Sequence, residues 1–317
     1  MKEIYAVKAK DDAVRRCSTS GGMFSVFASR VLREGGVVYG AGFAEDGVLK
    51  HFGIERPEDL PLIRGTKYIR SQTEGCFKEI KGHLEKERLV LFCGTPCQNA
   101  ALKKYLKDSI DQKWLIQVDF ICMGLPSLTV FNEYKLWLED QRGKKLESML
   151  CRDKISGWKH SSVRLTFEDG SEEVTPLMEN EYLIPFLKEY GLSDGCYKCP
   201  FRGDRRSSDI TMADYWGIQE IDPEMDDELG VSLIFLNTDR GQELFDSIKD
   251  AIDYKAVSDD RYLKYNPYYN RSPKKREPNG YFYSHLGKMD YGKLIERCSL
   301  MLRIRNKKDR LIKKVLG

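Results

Sequence analysis

The sequence has no apolar run near the ~20 residues that a membrane-spanning helix requires, which excludes a multi-spanning membrane protein. Its opening, MKEIYAVKAKDD, lacks the apolar stretch of a secretory signal, so a cytoplasmic chain is expected. Neither sign of charge dominates. The 52 Lys and Arg face 49 Asp and Glu, a net +3 that gives no electrostatic case for a nucleic-acid partner. Histidine is scarce, and His51, His83, His160 and His285 show no HExxH or other metal spacing. A GxSxG elbow, a Walker loop, a GxGxxG fingerprint and a carboxylate pair assignable to acid and base roles are all missing. So are internal repeats and low-complexity tracts. With 41% hydrophobic residues, the chain is too apolar for intrinsic disorder. At 317 residues it can bury roughly 75% of its unfolded surface, in one large domain or two modest ones.

What is present is alternation. Residues 20–35 carry Met23, Phe24, Phe27, Val31 and Leu32 at helical spacing, and Gly35-Gly36 stops that helix. Strands are expected at 37–43, 49–56, 88–94 and 114–122, with helices at 74–87, 96–106 and near 127–142. This predicts an α/β (α+β mixed) fold, a sheet covered by helices. Beyond about residue 145 the texture changes to short antiparallel strands over 144–177. A helix at 179–190, a Cys-rich loop, strands at 208–217 and 231–238 and a helix at 240–252 follow. Two regions are expected, 1–145 and 146–317, the second ending in a basic helix. From Arg297 to Lys314, eight basic residues face one acid, Asp309. Its Lys/Arg face could be plain solvated surface, or could meet an acidic protein or, peripherally, an anionic membrane.

Nine cysteines in a chain expected to stay in a reducing compartment point away from disulfides and towards core thiols, metal ligands or redox thiols. In FCGTPCQ (92–98), a strand ends at Gly94, Thr95 can cap a helix and Pro96 suits its first turn. Cys97 then sits at a helix N-terminus, which favours its thiolate, unless it is simply a small residue in a tight turn. Cys196 and Cys199, in Cys-Tyr-Lys-Cys-Pro, form a loop pair that can reach one metal, as in zinc and iron–sulfur sites. Such a pair supplies two ligands. Cys97 and Cys122, each at the C-terminal end of an expected strand, are the best candidates for two more. Cys17, Cys76, Cys151 and Cys298 lack a comparable setting, and Cys93, on the strand four residues before Cys97, is expected to face the core. Two glycine turns also stand out. Ser20-Gly21-Gly22, following Ser18 and Thr19, opens the first helix and is either a phosphate cradle or a plain N-cap. Arg64-Gly65-Thr66-Lys67-Tyr68 is a cationic turn suited to an anion or to solvent.

Eight blocks in order strengthen these pieces: STSGGMFS, VVYGAGF, IRGTKYIRS, LFCGTPCQ, VDFICMG, CRDKISGW, CYKCPF and SDITMADYWG. Together they resemble the coenzyme F420 hydrogenase/dehydrogenase beta-subunit family, F420 being a deazaflavin. The resemblance implies an oxidoreductase that binds FAD and a [4Fe-4S] cluster and passes electrons between them. It places the cluster on Cys97, Cys122, Cys196 and Cys199. It places the flavin at Ser20-Gly21-Gly22, at Arg64 to Tyr68, and at Gly94-Thr95-Pro96. A small-molecule hydride donor or acceptor, coenzyme F420 or a relative, would react at the flavin. The ferredoxin-like module that opens many members is missing, so a separate ferredoxin or electron-transfer subunit is expected. Met123 stands where the family usually has His, and Ala213 where it usually has Gly. The alternative is a zinc-binding or assembly module in a polysaccharide-biosynthesis setting.

Overall fold

The computed structural model describes residues 3–316 apart from 46, 108 and 109, with side chains described as far as 307. Among these residues, eleven strands form two sheets. The strands are β1 (Glu3–Ala9), β2 (Val37–Phe43), β3 (Leu49–Ile54), β4 (Val90–Cys93), β5 (Leu115–Phe120), β6 (Leu146–Asp153), β7 (Ser162–Phe167), β8 (Glu172–Pro176), β9 (Ile210–Asp214), β10 (Ser232–Leu236) and β11 (Ile252–Ala256). The larger sheet runs β11-β1-β10-β9-β5-β4-β2-β3, and the smaller is the antiparallel β6-β7-β8. Pairing is parallel across β2, β4, β5 and β9 and antiparallel elsewhere in the large sheet. The mixed α/β class expected from the alternation is the class observed. The large sheet takes strands from both sides of residue 145.

The period of two decides what each face buries. On β4, Leu91 packs towards the helix Met23–Arg33, while Val90 and Phe92 point to the opposite face under the helices Cys76–Leu84 and Pro96–Leu106. Because both faces are covered, β4 reads as a continuous apolar run. The small sheet buries Met149, Cys151, Val163, Leu165 and Phe167 with the helix Leu128–Arg142 and the start of the helix Tyr291–Leu316. In that last helix Ile295 and Cys298 are buried and Leu302 partly so, while Arg303 and Lys307 are exposed. The side chains of Lys308, Arg310, Leu311, Ile312, Lys313, Lys314 and Val315, part of the basic tail, lie outside the described residues. Among the described residues no helix is long and apolar enough to cross a membrane.

Several expectations are revised. The N-terminal β1, not anticipated, lies inside the sheet between β10 and β11. The helix expected over 240–252 stops at Asp246, and Ile252 begins β11. The span 258–285 is less irregular than its composition suggests, since Pro278–His285 is helical.

Candidate functional site

Parallel pairing puts the C-terminal ends of β4 and β5 side by side. Beyond β4, Thr95 and Gln98 form a capping box: Thr95 Oγ1 accepts from Gln98 N at 3.4 Å, and Gln98 Oε1 accepts from Thr95 N at 2.9 Å. Cys97 therefore lies in the first turn of the helix, exposed, its Sγ 3.1 Å from Thr95 Oγ1. Beyond β5, Cys122 is followed by a segment that runs alongside the Cys-rich loop. Ser193 N donates to Leu125 O at 2.9 Å, and Pro126 bridges to Leu192. Gly124 adopts φ +149°, and a Cβ there would meet Cys196 Cβ at 3.0 Å, so the close approach of the two segments favours glycine.

The four cysteines singled out in the sequence thus come to one region. Burial pushes the Cys122 thiol up to about 12. Arg202 opposes that rise, and Cys196, Cys97 and Cys199 add to it. Burial likewise raises Cys196, with Cys97 and Cys199 within its electrostatic reach and Arg70 opposing. The four thiols lie within electrostatic reach of one another without forming a closed ligand set. Among the described residues, no group of three or more His, Cys, Asp or Glu is arranged to hold a metal ion as it stands. The donor chemistry fits a thiolate-bound anionic centre, because a buried guanidinium, Arg202, is anchored beside it. That side chain donates to Cys122 O, to Met123 O at 3.1 Å and to Tyr268 O at 2.9 Å.

A cleft of about 1380 Å³ opens over the edge of the small sheet. Ser18, Thr19, Arg64, Gly65, Arg152 and Lys154 are among its walls. Thr19 Oγ1 and Thr66 Oγ1, 3.1 Å apart, tie the two sequence-predicted turns together. Gly65 adopts φ +85°, and a Cβ there would lie 2.5 Å from Leu150 Cδ1. The floor is cationic. Lys67 Nζ donates to Ala41 O and Arg64 O at 2.8 Å each, and burial pulls its pKa down to about 8. Lys154 Nζ donates to Arg15 O, Ser20 O and Leu229 O, and burial pulls it down to about 7. Arg152, at φ +67°, forks onto Asp214 at 3.1 and 3.2 Å and lies 4.7 Å over the Trp216 ring, which stacks on Trp158. Such a concave cationic floor suits an anionic ligand.

The structure sorts the residues chosen from sequence. Arg64, Gly65 and Lys67 line the cleft, and Tyr68 packs behind it on Phe186 at 4.6 Å. Ser20, Gly21 and Gly22 stand behind the cleft wall. Ser20 Oγ donates to Val231 O at 2.9 Å, Gly21 is laced between β1 and β10, and Gly22 caps the helix Met23–Arg33 at φ +89°. Gly94, Thr95 and Pro96 belong to the cysteine region. A chain of contacts joins the two places. Gln98 Nε2 donates to Ser71 Oγ at 3.0 Å, Ser71 Oγ meets His51 Nδ1 at 2.8 Å, and His51 Nε2 meets Cys93 O at 3.0 Å. The 64–71 segment is thus shared by cleft and cysteines. Arg152, Lys154, Trp158, Arg202 and Asp214 were given no role by sequence reasoning. The available signal was that four of them fall within the CRDKISGW and SDITMADYWG blocks, and Arg202 directly follows CYKCPF.

The part of the chain that carries all four cysteines also matches a family model. The family model for coenzyme F420 hydrogenase/dehydrogenase, covering the C terminus of the beta subunit, matches residues 87–260, more than half of the sequence. No curated protein matches. Among solved structures, a chain of the F420-reducing [NiFe] hydrogenase complex from Methanosarcina barkeri is similar in fold. Its TM-score is 0.54 at 16% identity, over 95% of this chain and 91% of that one.

Proposed function

The chain belongs to the coenzyme F420 hydrogenase/dehydrogenase beta-subunit family of oxidoreductases, and from that premise we propose that it is an iron–sulfur flavoprotein. Cys97, Cys122, Cys196 and Cys199 would hold a [4Fe-4S] cluster. Thr19, Arg64, Gly65, Thr66, Lys67, Arg152 and Lys154 would hold FAD, with Ser20-Gly21-Gly22 shaping the wall behind. When bound, a flavin exchanges electron pairs as hydride while a cluster exchanges single electrons, so the two together convert one mode into the other. The observation that supports this reading is that Cys97, Cys196 and Cys199 all lie within electrostatic reach of the half-buried Cys122.

The chain's own groups supply binding and order. Arg64, Arg152 and Lys67 bring positive charge to the cleft, and an anion bound there would draw Lys154, at about 7 without it, into its charged form. Asp214 fixes Arg152 from below, and Gln98, Ser71 and His51 hold the cleft turn against the cysteine helix. Burial lowers His51 to about 4, which keeps it neutral at working pH as a hydrogen-bonding link. A small-molecule hydride donor or acceptor, coenzyme F420 or a relative, would enter the open cleft. A separate ferredoxin or partner subunit would meet the exposed Cys97 side.

Anaerobic purification followed by cofactor extraction and metal analysis tests this. Expected are FAD, iron and labile sulfide, with iron lost when Cys122 or Cys196 is changed to Ser. Zinc without labile sulfide would replace the cluster with a structural metal module. Iron and sulfide without flavin would remove the cleft assignment.

A further inference from the structure

Two buried guanidiniums approach the end of β5, and they are not equivalent. Arg206 has a carboxylate: its Nη1 lies 3.3 Å from Asp119 Oδ2, and both side chains are buried. Arg202 is 4% exposed, and among the described residues it forms no ion pair. Its hydrogen bonds go to three carbonyls, and its Nε has no partner. An arginine stays charged at any working pH. Burying such a charge is costly unless a negative group compensates it. The carbonyls identify where compensation is missing, since two of them belong to Cys122 and Met123. The guanidinium also follows Cys199 by three residues, so one side chain ties both cysteine-bearing segments together.

We infer that Arg202 is the counter-cation and positioning residue of the four-cysteine centre, holding the Cys122 backbone in place and setting the centre's potential by its charge. The inference rests on reading those cysteines as a metal centre. Four thiolates outweigh the positive charge of an iron–sulfur core, which leaves an anionic centre beside an unpaired buried cation. One-electron reduction makes the centre more negative by one charge and breaks no bond. A fixed cation nearby favours that reduced form, and net charge, hydrogen bonding and burial are what set such potentials.

The test uses the full chain, reconstituted anaerobically with iron and sulfide and titrated with dithionite. Arg202→Gln keeps hydrogen-bond donors and removes the charge, Arg202→Lys keeps the charge, and Arg205→Gln removes an exposed charge nearby. In R202Q the reduced-to-oxidised ratio at a fixed solution potential should fall at least tenfold, a shift of 59 mV to more negative potential for a one-electron couple. R202K should stay within about threefold of the unaltered protein, and R205Q should match it, because solvent screens an exposed charge. Loss of the cluster from R202Q with retention in R202K also supports the charge role. An unchanged potential in R202Q, or an equal fall or equal cluster loss in R202Q and R202K, overturns it and leaves a structural clamp. Failure of the unaltered chain to take up iron and sulfide overturns the metal reading itself, and this inference with it.

Discussion

A glycine can be required by a ligand or by the protein's own backbone, and Gly21 is the second kind. A Cβ on it would lie 2.5 Å from Val7 O and 2.8 Å from Ser232 N, both main-chain atoms of the sheet that cannot swing aside. Gly21→Ala should therefore destabilise the protein by about 1–3 kcal/mol, the usual range for overpacking a tight interior, as read from urea unfolding. Near-native stability would show that the strands yield more easily than this packing implies. In sequence the two kinds of glycine look identical, which is why Ser20-Gly21-Gly22 reads equally as a phosphate cradle or a plain N-cap. Cys97 and Cys122 were legible because strand ends are legible and sites gather there. Arg152, Lys154 and Arg202 were not, because a charged residue read alone looks solvated. What buries them is distant in sequence: Asp214 for Arg152, Leu229 for Lys154, and Met123 and Tyr268 for Arg202.

The helix Pro96–Leu106 shows what a single cap does for an element that carries a candidate ligand. Its first turn depends on the reciprocal Thr95–Gln98 pair, and Thr95 also touches Cys97 Sγ. Thr95→Ala should cost about 1 kcal/mol of stability in chemical unfolding, while Thr95→Ser should restore most of it. Equal losses in both variants would mean that the methyl group, and not the cap, matters. The strands and longer helices between residues 20 and 142 were readable because their apolar periods are complete within each segment, whereas the four-residue helix Leu60–Ile63 is too short to show one. β1 and β11 were not. β1 becomes an interior strand only because β10 and β11, more than 220 residues away, supply both its neighbours. β11 is obscured differently: Ile248, Ala251 and Ile252 extend the helical period of the preceding helix, and the chain leaves that helix before they are reached. The helix expected over 179–190 contracts to Leu183–Leu187 around Pro185, which has no N–H to continue a long ladder.

At the scale of the molecule, the buried titratable groups set where the cofactor-free protein is most stable. His51 takes a proton at about 4 when folded, against about 6.5 unfolded, so between these values the unfolded chain holds more protons and stability rises with pH. Lys154 and Lys67, at about 7 and about 8 when folded and about 10.4 unfolded, continue that rise above neutrality. The thiols act in the opposite sense. Burial holds Cys76, Cys93 and Cys122 up to about 12 and Cys298 up to about 11, and it also raises Cys151 and Cys196, whereas unfolded cysteines ionise near 8.5. Above about pH 8 the folded state keeps those protons while the unfolded chain releases them, so six thiols outweigh two amines and stability falls. Urea unfolding of the reduced, cofactor-free protein from pH 5 to 10 should therefore show a maximum near pH 8, above neutrality. Lys154→Met should flatten the approach to it by up to about 1.36 kcal/mol per pH unit, one proton's worth. A maximum below pH 7, or the same slope with and without Lys154, would mean that the three carbonyls around its ammonium keep it charged in the folded protein despite burial.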